Sequence, residues 1–343
     1  MPQTITFKPK QVTKRMLSTL PSRAHEVVMN RFGLGDEAER KTLEAIGGKY
    51  GITRERVRQI ENAALAIVRK SEAYKNEQAV FDELKSVLLS LGTIVAEEDL
   101  LNHISKDPLT QNHIHLYLTL GDAFTKTKED ENFKTRWSVD NAIANSVHGA
   151  LKDLYAKLDD DDLIPESELV TRFLDELKGV SEQYRDEEIA RRWLAMSKTM
   201  NKNPLGEWGK ATSSNIKTRG IKDYAFLIMR KHGSPMHFRE VAKAITDTFG
   251  KKTHTATCHN ELIKDPRFVL VGRGIYALKE WGYKTGVVRD VIKEIIKKNG
   301  PMSKEDIVEA VMKERYLKKN TILVNLQNSK YFKKNKAGLY TVA

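Results

Sequence analysis

The stretch from Thr42 to Ser71, TLEAIGGKYGITRERVRQIENAALAIVRKS, constrains the fold more than any other part of the chain. Apolar residues recur at spacings of three and four across 43–50, which predicts an amphipathic helix. Gly51 can adopt the left-handed conformation that ends a helix sharply, and Thr53 can cap the helix that follows. Gly47 has no side chain to obstruct a close approach of two helices. The pattern therefore predicts a helix-turn-helix.

The second helix of this pair is predicted to have one buried and one exposed face. Val57, Ile60 and Ala64 continue the apolar side. The opposite side presents polar and charged residues at helical spacing: Arg54, Glu55, Arg58, Gln59 and Asn62. Arginine suits guanine edges and phosphates, glutamate can accept a hydrogen bond from cytosine, and glutamine can pair with adenine. This face is typical of a helix that enters the major groove of DNA.

The run TLEAIGGKYGITRERVRQIE closely resembles region four of primary sigma factors, in which TRERVRQIE marks the recognition helix. Upstream, LPSRAHEVVMNRFGL (20–34) is similar to the first half of the same region, so the resemblance covers roughly residues 15 to 71. In the family, this module binds the minus-thirty-five promoter element and the flap of the RNA polymerase β subunit. No segment resembles sigma regions two or three, so we expect no unaided initiation of transcription.

Carried over position by position, the resemblance assigns roles to residues of both helices. It implies base contacts from Arg54, Glu55 and Gln59. It implies contacts with the DNA backbone or groove edge from Thr42, Lys49, Thr53, Arg56 and Arg58. Double-stranded DNA is thus the expected partner, and RNA polymerase is a second one.

Two stretches near the carboxy terminus repeat one pattern at an offset of 64 residues. Leu262, Phe268, Gly274, Tyr276 and Leu278 correspond without a gap to Leu326, Phe332, Gly338, Tyr340 and Val342. Each is preceded by two helical segments that a Gly and Pro break separates, and each ends in two strands joined by a glycine turn. This order predicts a winged helix.

Looser copies of the pattern occur in the middle of the chain. One ends at Leu194, Met200, Gly206 and Trp208, and another begins at Phe81 and has AFTKTKEDENFKTRWSV as its wing. The predicted fold class is therefore mainly α with small β wings, a sigma region 4 helix-turn-helix followed by tandem winged-helix domains. The predicted domains are 1–75, 76–147, 148–218, 219–284 and 285–343.

The unit from Ile221 to Tyr283, with HGSPMHFREVAKAI and ELIKDPRFVLVGRGIYAL, resembles the HARE helix-turn-helix domain. That domain is found in the delta subunit of bacterial RNA polymerase and in chromatin proteins. The resemblance implies binding to DNA or to polymerase, and it brings no catalytic residues. For the other three units the pattern indicates a winged helix only.

Charge is distributed unevenly along the chain. The net charge of +12 divides into +7 for residues 1–75, −11 for 76–200 and +16 for 201–343. Basic ends indicate contact with a polyanion, and the acidic middle favours protein binding or a spacer role. The secondary DNA contacts predicted from the last two units are Lys251, Lys252, Arg267, Arg273, Lys318, Lys319, Lys330, Lys333, Lys334 and Lys336. A lysine-rich surface that is merely solvated is the alternative.

Other residues of chemical interest do not form a recognisable catalytic or metal-binding motif. His254, Cys258 and His259 lie close together but lack the further pair that a four-coordinate zinc site needs. The Asp159–Asp162 run is interpreted as a solvated linker. His113 and His115 precede an apolar segment without a nucleophile motif nearby. We therefore expect no enzymatic activity, no cofactor and no metal.

Composition and motifs together predict a cytoplasmic, nucleoid-associated transcription protein. The single cysteine is typical of a reducing compartment, and no signal peptide or membrane span is expected. Two alternatives to a sequence-specific DNA reader stay open. One is a delta-like protein-interaction subunit associated with RNA polymerase, and the other is the DNA-targeting subunit of a restriction or defence system.

Overall fold

The structure is a computed structural model that describes residues 5–177, 180–283, 287–316 and 318–343. Helices dominate it, and the strands form small antiparallel sheets, which confirms the predicted fold class. The chain forms two compact units. Unit 1 comprises residues up to 201 with 208–211, and unit 2 comprises 202–207 with 212–343. The five predicted domains are a finer division and stay a prediction.

Unit 1 begins with a group of helices that contains the predicted helix-turn-helix. These are α1 (Pro9–Leu17), α2 (Ser22–Phe32), α3 (Leu43–Tyr50), α4 (Arg54–Lys70) and the short α5 (Glu72–Lys75). Gly33 adopts a left-handed conformation (φ 64°) and ends α2. Its amide donates to the carbonyl of Met29, and a glycine satisfies this geometry without strain. The loop 34–42 then leads into α3.

The first winged-helix unit follows directly. Its elements are α6 (Gln78–Ser90), β1 (Ile94–Ala96), α7 (Glu97–Ile104), α8 (Pro108–Leu120), β2 (Thr125–Thr127) and β3 (Arg136–Ser138). The strands form one antiparallel sheet in the order β1-β3-β2, and Val95 and Lys126 both lie opposite Trp137. The hairpin of β2 and β3 is the wing, in the segment where the sequence predicts it.

The second winged-helix unit has the same order with shorter strands. Its elements are α9 (Asn141–Ala156), α10 (Glu166–Glu176), α11 (Glu187–Ala195), β4 (Met200–Lys202) and β5 (Trp208–Lys210). Ile164, just before α10, forms an antiparallel bridge with Trp208. The strands β4 and β5 pair with each other, so the wing again follows the third helix.

Unit 2 contains the two carboxy-terminal winged helices. The first comprises α12 (Ile221–His232), β6 (Met236–His237), α13 (Phe238–Phe249), α14 (Thr255–Lys264), β7 (Phe268–Gly272) and β8 (Ile275–Leu278). The second comprises α15 (Val288–Asn299), α16 (Lys304–Glu314), α17 (Lys319–Leu326), β9 (Phe332–Lys334) and β10 (Tyr340–Val342). Met302 forms an antiparallel bridge with Tyr340, at the position that β6 has in the first of these two winged helices.

The strand pairing confirms the 64-residue repeat. Phe268 lies opposite Leu278, and Phe332 lies opposite Val342. The second pair is the first pair shifted by 64 positions, as the sequence repeat predicts. The two hairpins thus share their register as well as their residue pattern.

Two hydrophobic cores join the elements of unit 1. One extends from Val12 to Trp137 and includes residues of α1, α2, α4 and α8. The other joins Ile94 of the first winged-helix unit to the helices of the second. The helix-turn-helix group and both middle winged helices therefore share buried apolar surface, which is the main stabilising contribution in a compact fold.

Within unit 2, Tyr316, which follows α16, packs against the edge strand β7. The amide of Tyr316 donates to the carbonyl of Val271 at 3.1 Å. A Cβ atom at Gly272 would come 2.5 Å from the carbonyl oxygen of Tyr316, so this approach requires glycine. The contact covers hydrogen-bonding groups of a strand edge that would otherwise be open.

Candidate nucleic-acid interface

The turn between α3 and α4 has the geometry that the sequence predicts. Gly51 is left-handed (φ 63°), and its amide donates to the carbonyl of Gly47. A Cβ atom at Gly47 would lie 2.5 Å from the carbonyl oxygen of Ile52, so the close approach of the chain depends on the absence of a side chain. The sharp corner at Gly51 is thereby confirmed.

Both helices are capped by threonine side chains. The Thr42 hydroxyl accepts a hydrogen bond from the amide of Ala45 at 3.1 Å, and the Thr53 hydroxyl accepts one from the amide of Arg56 at 3.2 Å. Each cap satisfies an amide that the helix leaves without a partner. Thr42 and Thr53, predicted to contact the DNA backbone, thus also fix where the two helices begin.

The inner face of α4 packs as predicted. Val57 is fully buried in a small core with Val27 and Ile46, against which Ile60 also packs. Further along, Ala64 is buried in the large core of unit 1. This packing fixes the rotation of α4 and leaves its other side free. The exposed residues on that side are Arg54, Glu55, Arg56, Arg58, Gln59 and Asn62.

Several of these exposed side chains are hydrogen-bonded to one another. Arg58 donates to both oxygens of Glu55, at 2.9 and 2.7 Å, and these bonds lower the pKa of the Glu55 carboxyl. Arg56 donates to the Gln59 side-chain oxygen at 3.1 Å. Arg54 makes no side-chain hydrogen bond or ion pair with the described residues. Glu55 and Gln59 would therefore have to exchange partners on binding a base, whereas Arg54 would not.

Lys49 lies at the end of α3 beside the same corner. Its ammonium group is exposed and stands 5.1 Å from the centre of the Tyr50 ring. The Tyr50 hydroxyl in turn donates to Glu26 on α2. The structure thus brings every residue predicted to contact DNA from the first module onto the surface formed by α3, the turn and α4.

The third helices of the two middle winged-helix units contribute their apolar faces to the cores of unit 1. On α8, Ile114, Leu116, Tyr117 and Leu120 are fully buried against the helix-turn-helix group. Trp193 of α11 is also fully buried, and its indole nitrogen lies 3.2 Å from the carbonyl oxygens of Gly92 and Ile94. Internal packing thus takes up almost all of α8, a helix that a winged helix commonly places in the major groove. The outer face of α11 remains exposed, but there Glu187 pairs with Arg191 and Glu188 pairs with Arg192.

His113 and His115 belong to this internal packing of α8. The His113 ring nitrogen Nδ1 lies 2.8 Å from the Thr13 hydroxyl. The His115 Nε2 atom lies 3.5 Å from Glu97. Burial lowers the pKa of both imidazoles. The sequence signal that reveals α8 as a core helix is its lack of any charged residue across 108–120, in a chain with 30% charged residues.

Most of the basic residues predicted to contact DNA from unit 2 are exposed. Arg273 lies in the tight turn between β7 and β8, and Lys336 lies in the turn between β9 and β10. Lys318 and Lys319 stand at the start of α17. The remaining exposed lysines of the set are Lys252, Lys330, Lys333 and Lys334, and Lys251 is half-buried with its ammonium group 4.4 Å from the Tyr224 ring centre.

Arg267, which is also predicted to contact DNA, is held within an internal network of ion pairs. Its guanidinium donates to Asp265 at 3.0 and 2.8 Å and to Asp223 at 2.9 Å. Both carboxylates are buried and would lose their counter-charge if the arginine turned outward. A sequence cannot distinguish such an arginine from an exposed one, because one of the acidic partners, Asp223, lies on a distant helix. Arg267 is therefore omitted from the proposed DNA contacts below.

The structure gives no indication of a metal centre or a membrane span in its described part. No three His, Cys, Asp or Glu side chains among the described residues gather in a way that could hold a metal ion. Cys258 is buried, and burial raises the pKa of its thiol to about 11. None of the helices described is both long and apolar enough to cross a bilayer.

Two segments of the chain match known protein families. Residues 16–70 match the family model described as sigma-70, region 4. Residues 219–281 match the HARE-HTH model, a helix-turn-helix domain whose description names ASXL proteins and restriction endonucleases. Both resemblances predicted from the sequence are thereby confirmed. The chain contains a sigma-70 region 4 helix-turn-helix and, further along, a HARE-type helix-turn-helix domain, and both are domains of the DNA-binding type.

Proposed function

We propose that this protein is a transcription regulator that reads a specific duplex sequence with α4, in the manner of promoter recognition at a minus-thirty-five element. In this proposal Arg54, Glu55 and Gln59 contact base edges in the major groove. The groove edge and backbone are contacted by Thr42, Lys49, Thr53, Arg56 and Arg58. The observation that carries the proposal is the exposed polar face of α4. Val57 is buried on the opposite side of this helix, and the sharp turn at Gly51 precedes it.

Unit 2 would add contacts with flanking DNA that do not depend on sequence. The lysines and the arginine proposed for this role are exposed, except that Lys251 is half-buried, and none forms an ion pair with a described carboxylate. Free cations of this kind release counterions when they approach phosphates. The residues proposed for this role are Lys251, Lys252, Arg273, Lys318, Lys319, Lys330, Lys333, Lys334 and Lys336. Two modules on one chain would gain affinity through their effective concentration.

The experiment begins with the selection of bound fragments from random duplex DNA by the full chain. Affinities of the variants Arg54→Ala and Gln59→Ala for the selected site and for scrambled sites are then measured at several salt concentrations. We expect each variant to lose about 1–3 kcal/mol on the selected site and little on scrambled ones. Lys70→Ala is the matched control, because Lys70 is an exposed cation at the other end of α4. Equal affinity of the wild type for all sequences would refute specific reading.

Association with RNA polymerase is a second candidate function. It is favoured by the acidic middle of the chain, where α8 is buried and the outer face of α11 carries Glu187 and Glu188, each paired with an arginine. In a pull-down treated with nuclease, retained polymerase together with negligible affinity of the free protein for duplex would favour this role. Loss of polymerase after nuclease treatment, together with clear affinity of the free protein for duplex, would favour sequence-specific DNA reading. Neighbouring nuclease genes would instead favour the DNA-targeting subunit of a restriction or defence system.

A further inference from the structure

Unit 1 contains an open cavity of about 640 Å³ beside the loop that leads into the helix-turn-helix. One wall is the loop before α3, and the other walls come from the first winged-helix unit. The residues that matter for its chemistry are Arg40, Glu98, Gln111, Asn112, Lys134 and Thr135. None of them belongs to the proposed DNA-reading face.

The loop wall is held in place by the amide of Asn112, which is buried on α8. Its nitrogen donates to the carbonyl oxygens of Gly33 at 2.9 Å and Ala38 at 2.8 Å. Its oxygen accepts from the Nε of Arg40 at 2.5 Å. Ala38 has a left-handed backbone (φ 53°), which is uncommon for a residue with a side chain and persists only where the surroundings hold it. The position of Arg40 is therefore built into the fold.

The cations that line this cavity lack partners. Beyond the Asn112 bond, the two terminal amino groups of Arg40 make no hydrogen bond or ion pair with the described residues. The same holds for the ammonium group of Lys134. The surrounding protein lowers the pKa of Arg40 by desolvation, a cost that a bound anion would offset.

The acidic residues of the cavity wall are mostly neutralised by their own partners. Glu97 pairs with Lys126 at 2.6 Å, and Glu129 pairs with Lys198 at 2.5 Å. Glu98 has no ion pair with a described residue. Arg40 and Lys134 thus line the cavity without an ion pair to a described carboxylate, although Asp99 lies near enough to Lys134 to interact with its charge. An oxyanion is the ligand that would complete both cations.

We propose that this cavity binds a small soluble molecule through an oxyanion group, a carboxylate or a phosphate, held by Arg40 and Lys134. Arginine offers its two terminal amino groups side by side, which matches the two oxygens of such a group. The volume suits a metabolite. Arg40 is two residues before Thr42, the cap of α3, so a ligand held by Arg40 would lie next to the segment that enters the helix-turn-helix. The site is suited to an effector of DNA binding.

The test uses the full chain in a low-salt buffer free of oxyanions, with inorganic phosphate and succinate as separate probes. Binding is measured by calorimetry and by NMR of the arginine Nε–H groups and the backbone amides of 38–41 and 134–135. We expect saturable binding at one site. Arg40→Gln should weaken it by at least about tenfold and Lys134→Gln by about threefold, since each removes a charge-assisted hydrogen bond. Arg23→Gln, an exposed arginine of the same unit outside the cavity, is the matched control.

The outcomes separate the sources of the ligand and the ways in which the proposal can fail. Tighter binding of phosphate indicates a phosphate ester, and tighter binding of succinate indicates a carboxylate metabolite. Lys134→Gln leaves the Asn112 contacts intact, so weakening by both cavity variants cannot be ascribed to a disturbed loop. Non-saturable binding, equal weakening by Arg23→Gln, or wild-type affinity in Lys134→Gln would each overturn the proposal. None of these results depends on whether the chain reads DNA.

Discussion

The middle and the carboxy-terminal winged helices share one topology but use their third helices in opposite ways. In the middle units, α8 is buried on almost all sides, and α11 packs Trp193 inside while the charges on its outer face pair with one another. In unit 2, α14 and α17 leave long faces open, and even apolar residues such as Ile263 and Val324 are 62% and 67% exposed there. The same position in the fold is thus buried or neutralised by internal ion pairs in the middle units and remains available in unit 2.

The wings differ in the same direction. In the first middle unit, Lys126 pairs with Glu97 and Arg136 pairs with Asp130. In the last unit, Lys333 and Lys334 of β9 and Lys336 of the following turn form no ion pair with the described residues. Neutralised cations gain little from a phosphate, because they must first give up a carboxylate. The contrast teaches that surface chemistry, more than topology, decides which winged helix can meet DNA.

The largest expected effect of breaking this contrast comes from Trp193. The substitution Trp193→Ala removes a fully buried indole that joins α11 to the first winged helix, so we expect unit 1 to lose about 3–5 kcal/mol of unfolding free energy. Ile263→Ala, the matched change on an open third helix, should alter the unfolding free energy by no more than about 0.5 kcal/mol. Urea unfolding, with hydrogen exchange of α11 amides, measures both. Similar losses in the two variants would contradict the comparison.

Asn112→Ala tests the second internal helix, α8. The change leaves the carbonyl oxygens of Gly33 and Ala38 and the Nε of Arg40 without their partner, and we expect a loss of about 2–3 kcal/mol. Asn260→Ala on the open face of α14 is the control, for which we expect almost no change. Urea unfolding again provides the measurement. A loss below about 1 kcal/mol for Asn112→Ala would mean that the loop before α3 is held by other contacts.

Acid should destabilise unit 1 through His148. Burial, followed by the charge of Arg136, lowers the pKa of His148 from 6.5 to about 4, and its neutral Nε2 accepts from the Nε of Arg136 at 2.7 Å. Because the folded pKa lies below the unfolded one, this stability is present above pH 6.5 and decreases as pH falls towards 4. We expect a decrease of about 2 kcal/mol over that window.

The matched variants are His148→Gln and His254→Gln. Glutamine at 148 keeps an acceptor for Arg136 but does not titrate, so it should flatten the decrease between pH 6.5 and 4. His254 is exposed in unit 2, and its replacement should leave the pH dependence of unit 1 as it is. Unfolding curves at several pH values decide the matter. An unchanged slope in His148→Gln would contradict the assignment to this imidazole.

Local patterns in the sequence were sufficient to predict the helix-turn-helix and the wings. The Gly47 and Gly51 spacing predicts the corner, because a glycine at a left-handed position has a local cause. The 64-residue offset predicts the shared hairpin register, since strand pairing across a tight turn is also local. What is fixed by neighbours along the chain can be deduced from the chain.

Contacts between distant segments could not be predicted in this way. The Asn112 bonds to Gly33 and Ala38 join residues more than seventy positions apart. Arg267 donates to Asp223, 44 positions away in the sequence, although the basic residues around it favoured the prediction of a DNA contact. Such partners depend on how the elements pack, which periodicity does not specify. Only the absence of charge in 108–120 indicated that α8 is internal.

The smallest expected effect concerns single lysines of the last wing. Lys333→Ala and Lys336→Ala should each leave sequence preference unchanged and reduce the slope of log affinity against log salt by about 0.9, the value for one phosphate contact. Lys106→Ala, an exposed lysine in the first middle unit, should leave the slope unchanged. Titrations of one duplex at four or more salt concentrations resolve such a difference. If Lys106→Ala lowered the slope as much as the wing variants do, DNA would contact the middle units too. The difference between the middle units and unit 2 in their third helices and wings would then not determine where the duplex binds.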